Sequence, residues 1–267
     1  MSNLALRVLT GAVALPLVGV LVLWDERLGF ALLVFLFAAL GLIEYTAMTF
    51  ATAPRAQRVA VIIIGVALSV ALYARLDLAL LWVVAAMMVT ATVILARPGD
   101  IATASSRLGM ATFGVFYLGA FSAPLALLQR DVGDGPFWVF VAVAVTFAND
   151  TGAYFAGRAL GRHKLYPLIS PSKTVEGAVG GLVGGLAAVL VSRATFFHAL
   201  TLRDCFLVAV PAAVIGPVGD LLESMLKRSA GVKDSGRTLP GHGSILDRVD
   251  ALLFVAAWIY AYAGYLR

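Results

Sequence analysis

Charged residues are scarce in this chain. Asp, Glu, Lys and Arg make up 13% of its 267 residues, about half the share that soluble globular domains carry. Hydrophobic residues make up 61%, and the mean hydropathy is +0.95. The apolar residues come in long runs, and runs of roughly 20 are typical of membrane-spanning helices. The composition therefore argues against a soluble domain and predicts an integral membrane protein of the all-α class.

Cysteine and the common catalytic motifs are almost absent as well. Cys205 is the only cysteine, so the chain cannot form an intrachain disulfide, and no cysteine-based metal site is indicated. The sequence has no G-x-x-x-x-G-K-[ST], no G-x-G-x-x-G after a strand, no H-E-x-x-H and no G-x-S-x-G. These absences exclude the usual P-loop, dinucleotide-binding, zinc-protease and α/β-hydrolase sites.

Nine hydrophobic segments are candidate membrane spans. They cover residues 4–23, 29–50, 59–74, 78–96, 108–128, 136–157, 175–191, 205–222 and 245–266. The third and seventh are short, so eight or ten spans remain alternatives. The first lacks a cleavage motif and is interpreted as a helix rather than a signal peptide. We predict about nine transmembrane helices, with residues 1–130 serving packing or dimerisation and residues 131–267 carrying the functional site.

Lysines and arginines are unevenly distributed between alternate loops. The N-terminus and the even-numbered loops hold 14 of the 20, and the odd-numbered loops and the C-terminus hold 6. Because cytoplasmic loops carry the excess of positive charge, we expect loops 158–174 and 223–244 to face the cytoplasm. In a bacterium this would be the inner face of the cytoplasmic membrane. The same loop charges explain the pI near 9.6, and no nucleic-acid partner is predicted.

A first polar cluster reads "TFANDTGAYFAGRALGRHKLYPLISPSKTVEG", residues 146–177. Asn149 and Asp150 stand near the cytoplasmic end of a predicted span. Tyr154 and Arg158 follow Asp150 at successive i+4 steps on the same helix face. An acid within a span is costly and indicates a function, or else a structural tie of Asp150 to Tyr154 or Arg158.

The end of this cluster predicts the start of another helix. The Ser-Pro of "ISPSKT" ends regular structure, and Ser172 is expected to cap the helix that follows. Lys173 would stand at the positive N-terminus of that helix, where a phosphate can bind, and Glu176 would complement the helix dipole. Small-xxx-small stripes then predict close helix packing and are compatible with a homodimer. Their members are Gly177, Gly180, Gly181, Gly184 and Gly185.

A second polar cluster begins with "IGPVGD", residues 215–220. Pro217 between two glycines near the end of a span predicts a broken helix beside a polar cavity. Asp220 and Glu223 have i, i+3 spacing, so both can face that cavity. Glu223 and Lys227 have i, i+4 spacing, which is also that of an ordinary surface ion pair.

Two further acids, Asp247 and Asp250, flank Arg248 in the first turns of the last predicted helix. If the two helix ends converge, Asp220 and Asp247 would supply a hard oxygen site suited to Mg²⁺. The intervening loop adds four cations: Lys227, Arg228, Lys233 and Arg237. Carboxylates that hold a metal and cations that neutralise phosphates are what phosphoryl transfer requires.

The spacing of this second cluster resembles a known family. S-x-L-K-R-x4-K-D-x-G-x2-L-P-x-H-G-x3-D-R-x-D, residues 224–250, is similar to the signature of phosphatidate cytidylyltransferases, also called CDP-diacylglycerol synthases. The "ND–AY–G–G" and "SPSKTVEG" segments, the size and the number of spans resemble that family too. One position departs from the pattern, because the family usually has H-G-G where this chain has His242, Gly243 and Ser244.

The resemblance implies transfer of CMP from CTP to phosphatidic acid at the cytoplasmic face, giving CDP-diacylglycerol and pyrophosphate. It implies Mg²⁺ dependence, with a second metal ion nearby. We assign Asp220 and Asp247 as the leading metal ligands, followed by Asp150. The predicted catalytic residues are Asp220, Lys227, Asp247, Arg248 and Asp250. The predicted substrate-binding residues are Asn149, Asp150, Lys173, Ser224, Arg228, Lys233, Asp234 and His242.

Two other functions are weighed against this one. A CTP-dependent lipid kinase would share lipid, nucleotide and membrane but would transfer the γ-phosphoryl group, and the dense loop motif argues against it. A transporter would also have intramembrane acids and broken helices. It would not need a cluster of cations and glycines confined to one face.

Overall fold

The structure, a computed structural model, describes residues 12, 16–24, 27–51, 53–236, 238 and 243–267. Nine α-helices fall within these ranges, together with one small two-stranded sheet. Eight of the helical segments described are long and apolar enough to cross a membrane. This confirms the predicted all-α polytopic architecture. The first predicted span, 4–23, lies mostly outside the described residues, although residues 16–23 are helical.

The chain forms two compact units, and the first comprises residues 1–126 and 230–247. Its helices form because long apolar runs satisfy their backbone hydrogen bonds internally, as a hydrocarbon environment requires. They are α1 (Leu28–Thr49), α2 (Arg55–Ala74), α3 (Ala79–Ala96) and α4 (Ile101–Gly114), which continues as a π-helical turn at Val115–Ala120. A 3₁₀ turn, Leu76–Leu78, precedes α3, and α5 (Ala123–Asp131) crosses the boundary between the units.

The first unit is held together by close helix contacts and by buried polar pairs. The Tyr45 hydroxyl of α1 donates a hydrogen bond to the Met110 carbonyl oxygen at 2.7 Å. Gly114 leaves the space that the Tyr45 ring fills. Ser69 and Ser122 lie 2.7 Å apart, Oγ to Oγ, in a buried hydrogen bond. Small residues therefore let these helices approach, and paired hydroxyls avoid unsatisfied polar groups.

The second unit comprises residues 127–229 and 248–267. Its elements are α6 (Gly135–Leu160), β1 (Lys164–Tyr166), β2 (Ser170–Thr174), α7 (Val175–Thr195), α8 (Leu202–Ser229) and most of α9 (Leu246–Ala261), which ends in a π-helical turn at Tyr262–Leu266. The two strands pair antiparallel, with Lys164 opposite Thr174 and Tyr166 opposite Ser170. The hairpin therefore joins α6 to α7 within the predicted cytoplasmic loop.

The glycine stripe of α7 packs against α6 of the same chain. A Cβ on Gly184 would lie 2.5 Å from the Ala148 carbonyl oxygen, and one on Gly177 would lie 2.9 Å from the Ala153 carbonyl oxygen. A Cβ on Gly181 would collide with Asn149 Oδ1. The predicted role of the stripe in close helix packing is confirmed. The homodimer stays a prediction, and these glycines lend it no support because they are engaged within the chain.

Two local predictions were wrong. The helix α8 is continuous, with Pro211 and Pro217 inside it, so there is no break at "IGPVGD". A proline removes a single backbone hydrogen bond, whereas an interrupted helix would leave several groups unsatisfied in apolar surroundings. The cap of α7 is Thr174, whose Oγ1 accepts from the Gly177 N–H at 3.0 Å. Ser172 is not the cap, because β2 extends through Thr174.

Candidate active site

A polar cavity of about 560 Å³ lies in the second unit, among helices that are otherwise apolar. Side chains from α6, the hairpin, α7 and α8 line it. Its polar lining consists of Asn149, Asp150, Tyr154, Arg158, Ser172, Lys173, Thr174 and Asp220. The volume is that of a small-molecule site. The fold thus brings four predicted site residues to one cavity: Asn149, Asp150, Lys173 and Asp220.

Helix α6 supplies one wall of this cavity. Asn149 is buried, with 4% exposure, and it occupies space left by Gly181 and by Gly216, whose Cβ would lie 3.6 Å from Asn149 Nδ2. Arg158 Nη1 donates to the Tyr154 hydroxyl at 3.0 Å. These two residues, which were the alternative structural partners of Asp150, therefore contact each other. A buried amide and a neighbouring carboxylate give this wall both donors and acceptors.

An ion pair joins the hairpin to α8 across the cavity. Lys173 Nζ lies 2.6 Å from Asp220 Oδ2, and the two side chains are 21% and 37% exposed. The Ser224 hydroxyl, one helical turn beyond Asp220, donates to Asp220 Oδ1 over a long 3.4 Å. Both charged groups remain accessible from the cavity. Their contact can therefore be exchanged for contacts with a metal ion or with phosphate oxygens.

Glu176 fixes the hairpin to the first turn of α7. Its carboxylate accepts from the backbone N–H groups of Arg162 at 3.1 Å and His163 at 3.2 Å. His163 Nδ1 lies 2.6 Å from the same carboxylate. Glu176 is in the first turn, where it complements the helix dipole as predicted. Its contacts add a second role, because they hold the segment that leads to Lys173.

The predicted catalytic residues on α8 and α9 occupy different environments. Lys227 pairs with Glu223, and the side chains are only 14% and 1% exposed, so the alternative of a surface ion pair was wrong. Asp250 is 7% exposed, and its Oδ1 accepts from the Ala251 N–H at 2.7 Å. Arg228 and Arg248 are exposed.

The loop between α8 and α9, residues 230–245, is called the signature loop, and its described residues contribute to a separate group of polar side chains in the first unit. Lys233 and Asp234 are exposed there, whereas Ser235 and Ser244 are buried. Ser244 Oγ donates to Glu44 Oε2 at 2.6 Å. We call Glu44, Ser235, Ser244 and Asp247 the loop cluster. The hydroxyl that departs from the family pattern therefore lies inside a hydrogen-bonded network, and His242 lies outside the described residues.

Glu44 was missed by the sequence analysis. It stands in the C-terminal half of the predicted span 29–50 and is 4% exposed. An acid in an apolar span is by itself a reason to look for a function and a partner. That signal was present in "GLIEYT". No other charged residue lies near Glu44 in sequence to form a motif with it.

The residues of the cavity fit a magnesium ion. Mg²⁺ is usually held by one or two carboxylates, with water and substrate phosphates completing its octahedral shell. Asp150 and Asp220 line the same cavity and offer such a donor set. Among the residues described, no group of three or more His, Cys, Asp and Glu side chains is placed to hold a metal. Asp247 belongs to the first unit, and its pairing with Asp220 stays a prediction.

Comparison with known proteins gives a consistent result. A model of the cytidylyltransferase family matches residues 5–266. A phosphatidate cytidylyltransferase of Staphylococcus haemolyticus is 48% identical over 122 residues, which is 46% of this chain and 47% of that protein. Those of Bacillus subtilis and Brucella suis are 40% and 41% identical over 154 and 156 residues, in each case 58% of this chain and 57% of the relative. The chain thus spans about half the length of the curated relatives it matches.

Proposed function

The chain belongs to the cytidylyltransferase family, and on that premise we propose that it makes CDP-diacylglycerol and pyrophosphate from CTP and phosphatidic acid. The observation that carries the proposal is the ion-paired cavity of Asp150, Lys173 and Asp220 within a bundle of apolar helices. The relatives that carry the name phosphatidate cytidylyltransferase support the same choice of substrates. A lipid substrate accounts for the membrane helices, and a soluble polyanion accounts for the basic loops.

In the proposed reaction, a phosphate oxygen of phosphatidic acid attacks the α-phosphorus of CTP. The bond from that phosphorus to the oxygen bridging the α- and β-phosphates breaks, and pyrophosphate leaves with the electron pair. A phosphate monoester is largely ionised at neutral pH. The nucleophile therefore needs no Ser–His–Asp triad to activate it. The sequence accordingly has no G-x-S-x-G motif.

The cavity residues have distinct roles in this proposal. Lys173 neutralises phosphate oxygens, for which it gives up its contact with Asp220. Asp220, Asp247 and Asp150 are the residues that would hold Mg²⁺. When bound, that ion and a second metal ion nearby would neutralise the charge that develops on the transferring and leaving phosphates. Asn149 orients the substrate through its amide.

The signature cations and acids complete the proposed site. Lys227, Arg228 and Lys233 bind phosphates of CTP or of the lipid, and Arg248 stabilises the transferring group. Ser224, Asp234, Asp250 and His242 support the nucleotide and the loop. The exposure of Arg228, Lys233 and Arg248 suits this role. The excess of positive charge in the loops supports a site that faces the cytoplasm.

The reaction can be tested with the purified protein in detergent. It would be given phosphatidic acid, Mg²⁺ and CTP labelled at the α-phosphate, and the label would be followed into chloroform-extractable lipid. We expect lipid label that requires Mg²⁺ and CTP. Label from γ-labelled CTP in the lipid would instead identify a kinase, and no lipid label from folded protein in either assay would overturn the proposal.

A further inference from the structure

We propose that Glu44 is a positioning residue for Asp247, acting through the buried serines of the signature loop. The inference rests on the proposed function, in which Asp247 is a metal ligand. It is supported by the hydrogen bonds of the loop cluster, all of which lie within the first unit. Glu44 contacts neither substrate nor metal in this proposal. It determines where the residue that does so is held.

Glu44 is a buried acid whose charge is compensated by a single segment of chain. Its carboxylate accepts from Ser244 Oγ at 2.6 Å, from the Leu246 N–H at 2.9 Å and from the Ile245 N–H at 3.3 Å. Three donors converge on it, so the site requires a group that only accepts. An ionised carboxylate meets that requirement. Bonds of this charge-assisted kind are stronger than those between neutral groups.

The same carboxylate lies beside two parts of the signature loop, its C-terminal end and its middle. Ile245 and Leu246 lead into α9, where uncompensated N–H groups favour a negative charge. Gly236 lies about halfway along the loop, between the end of α8 at Ser229 and the start of α9 at Leu246, and a Cβ there would be 2.6 Å from Glu44 Oε1. A side chain at residue 236 would therefore displace the carboxylate. The buried carboxylate of Glu44 on α1 therefore holds residues 244–246 of the chain and leaves no room for a side chain at Gly236.

A chain of short contacts leads from Glu44 to Asp247. Ser244 uses its one hydrogen toward Glu44, so its oxygen is left to accept. Ser235 Oγ lies 2.7 Å from Ser244 Oγ and 3.2 Å from Asp247 Oδ1, and its hydrogen is directed toward these two atoms. The Asp247 N–H lies 3.4 Å from Ser244 Oγ. The positions of the Asp247 N–H and of the Asp247 carboxylate therefore both depend on Glu44, through the two serines.

Residues that do not bind a metal themselves commonly orient a metal ligand in this way. A ligating carboxylate is usually hydrogen-bonded to a second group that fixes its orientation, and loss of that group weakens metal binding. Ser235 is that group here, and Ser244 and Glu44 hold Ser235. Ser244, which stands where the family usually has glycine, thus adds a link between the buried acid and the loop.

The first experiment measures metal binding without turnover. Mn²⁺ replaces Mg²⁺, and free Mn²⁺ is counted from its electron paramagnetic resonance signal in titrations of parent, Glu44→Ala, Glu44→Gln and Ser244→Ala proteins. We expect Glu44→Ala to weaken Mn²⁺ binding by about 10-fold or more, as loss of an orienting group does. Glu44→Gln should fall between it and the parent, because its amide keeps one acceptor but turns a donor toward the loop. Ser244→Ala should have the smallest effect.

The second experiment measures the hold on the loop itself. Trypsin can cut after the exposed Lys233, and cleavage after Arg162 in the second unit is the internal reference. We expect Glu44→Ala to raise cleavage at Lys233 by about 10-fold, the ratio implied by losing a hydrogen bond to a charged group. Cleavage at Arg162 should not change.

The matched control is another buried acid, Asp204, which accepts from the Tyr262 hydroxyl at 2.5 Å and from the Thr201 N–H at 2.7 Å. Asp204→Asn should lower thermal stability and leave both Mn²⁺ affinity and Lys233 cleavage at parental values. A general loss of stability is thereby separated from a loss of positioning.

Each combination of results either supports or overturns the proposal. Faster cleavage at Lys233 with unchanged Mn²⁺ affinity would make Glu44 a loop anchor only and would overturn the proposal, as would unchanged cleavage. If Glu44→Ala does not fold, Glu44→Gln and Ser244→Ala decide in the same way. A parent whose Mn²⁺ affinity depends on Glu44 but which transfers no cytidylyl group would refute the proposed function and leave the positioning role standing.

Discussion

Asp220 and Glu44 are both acids on apolar helices, one in each unit, and they are compensated in different ways. Asp220 faces the ammonium group of Lys173 at 2.6 Å, with 37% of its side chain exposed. Glu44 is 4% exposed and is satisfied by one hydroxyl and two backbone N–H groups. The first has a charged side chain as its partner. The second has neutral partners, two of which belong to the backbone.

This difference indicates what each acid can do. A partly exposed ion pair contributes little to stability, about 0–1 kcal/mol. Asp220 can therefore leave Lys173 to bind a metal ion, and Lys173 can leave Asp220 to bind a phosphate. Removing one partner of a buried charged network costs several times more, so Glu44 is suited to hold structure. An intramembrane acid therefore indicates a function, but its partners decide whether that function is chemistry or positioning.

Substitution of Asp220 should have the largest effect on activity. Asp220→Asn keeps the size of the side chain but removes the charge that a metal ion needs, so we expect cytidylyl transfer to fall by about 10³-fold. Initial rates of lipid labelling would measure this. Asp77→Asn is the control, because Asp77 forms an exposed pair with Arg75. A loss of less than about tenfold would contradict the role given to Asp220.

Substitution of Lys173 should come next. Lys173→Ala removes the cation that neutralises phosphate and leaves Asp220 without its partner, so we expect kcat/KM for CTP to fall by about 10²-fold. Lys164→Ala, in the same hairpin, is the matched control because Lys164 is exposed and does not line the cavity. Equal effects of the two substitutions would show that only loop charge matters and that the ion pair does not.

A smaller effect should follow from closing the space beside Asn149. Gly181→Ala would place a methyl group against Asn149 Oδ1 and 3.0 Å from the Asn149 carbonyl oxygen. Such overpacking costs about 1–3 kcal/mol, measurable as a lower melting temperature in detergent, and it should also lower activity. Gly109→Ala is the control, since nothing lies within 4 Å of its Cβ. Unchanged stability in Gly181→Ala would mean that α6 and α7 are not packed as closely as described.

The smallest effect is expected at His163. Its imidazole contacts Glu176 at 2.6 Å, but 77% of its side chain is exposed, and exposed ion pairs rarely contribute measurably. His163→Ala should leave cytidylyl transfer within about twofold of the parent. Glu176→Ala should have a larger effect, because it also removes the acceptor of two hairpin N–H groups. If His163→Ala proved the more damaging, exposure would be a poor guide to function in this chain.

The membrane helices could be predicted closely from the sequence. The predicted span 29–50 corresponds to Leu28–Thr49, and the span 78–96 corresponds to Leu76–Ala96. Hydropathy works here because each span must be apolar over a length set by the bilayer. The ends of α8 were less predictable. It extends to Ser229, well past the predicted end at 222, since polar residues can continue a helix beyond the apolar run.

The candidate site could be predicted in part. Asn149, Asp150, Lys173 and Asp220 were singled out by residue type and spacing, and they line one cavity. Sequence spacing did not show that Lys173 pairs with Asp220, 47 residues away. It could not distinguish a buried Glu223–Lys227 pair from a surface pair either, because i, i+4 spacing is the same in both.

By itself the sequence determined the membrane class, the positions of most spans, the two polar clusters and the resemblance to a family, because these depend on composition and local order along the chain. Only the tertiary structure decided which groups meet: Glu44 with Ser244, 200 residues apart, and the glycine stripe with α6. The physical reason is that a buried charge or a close helix contact is stabilised by whichever partner the fold supplies. No pattern of neighbours in sequence specifies that partner.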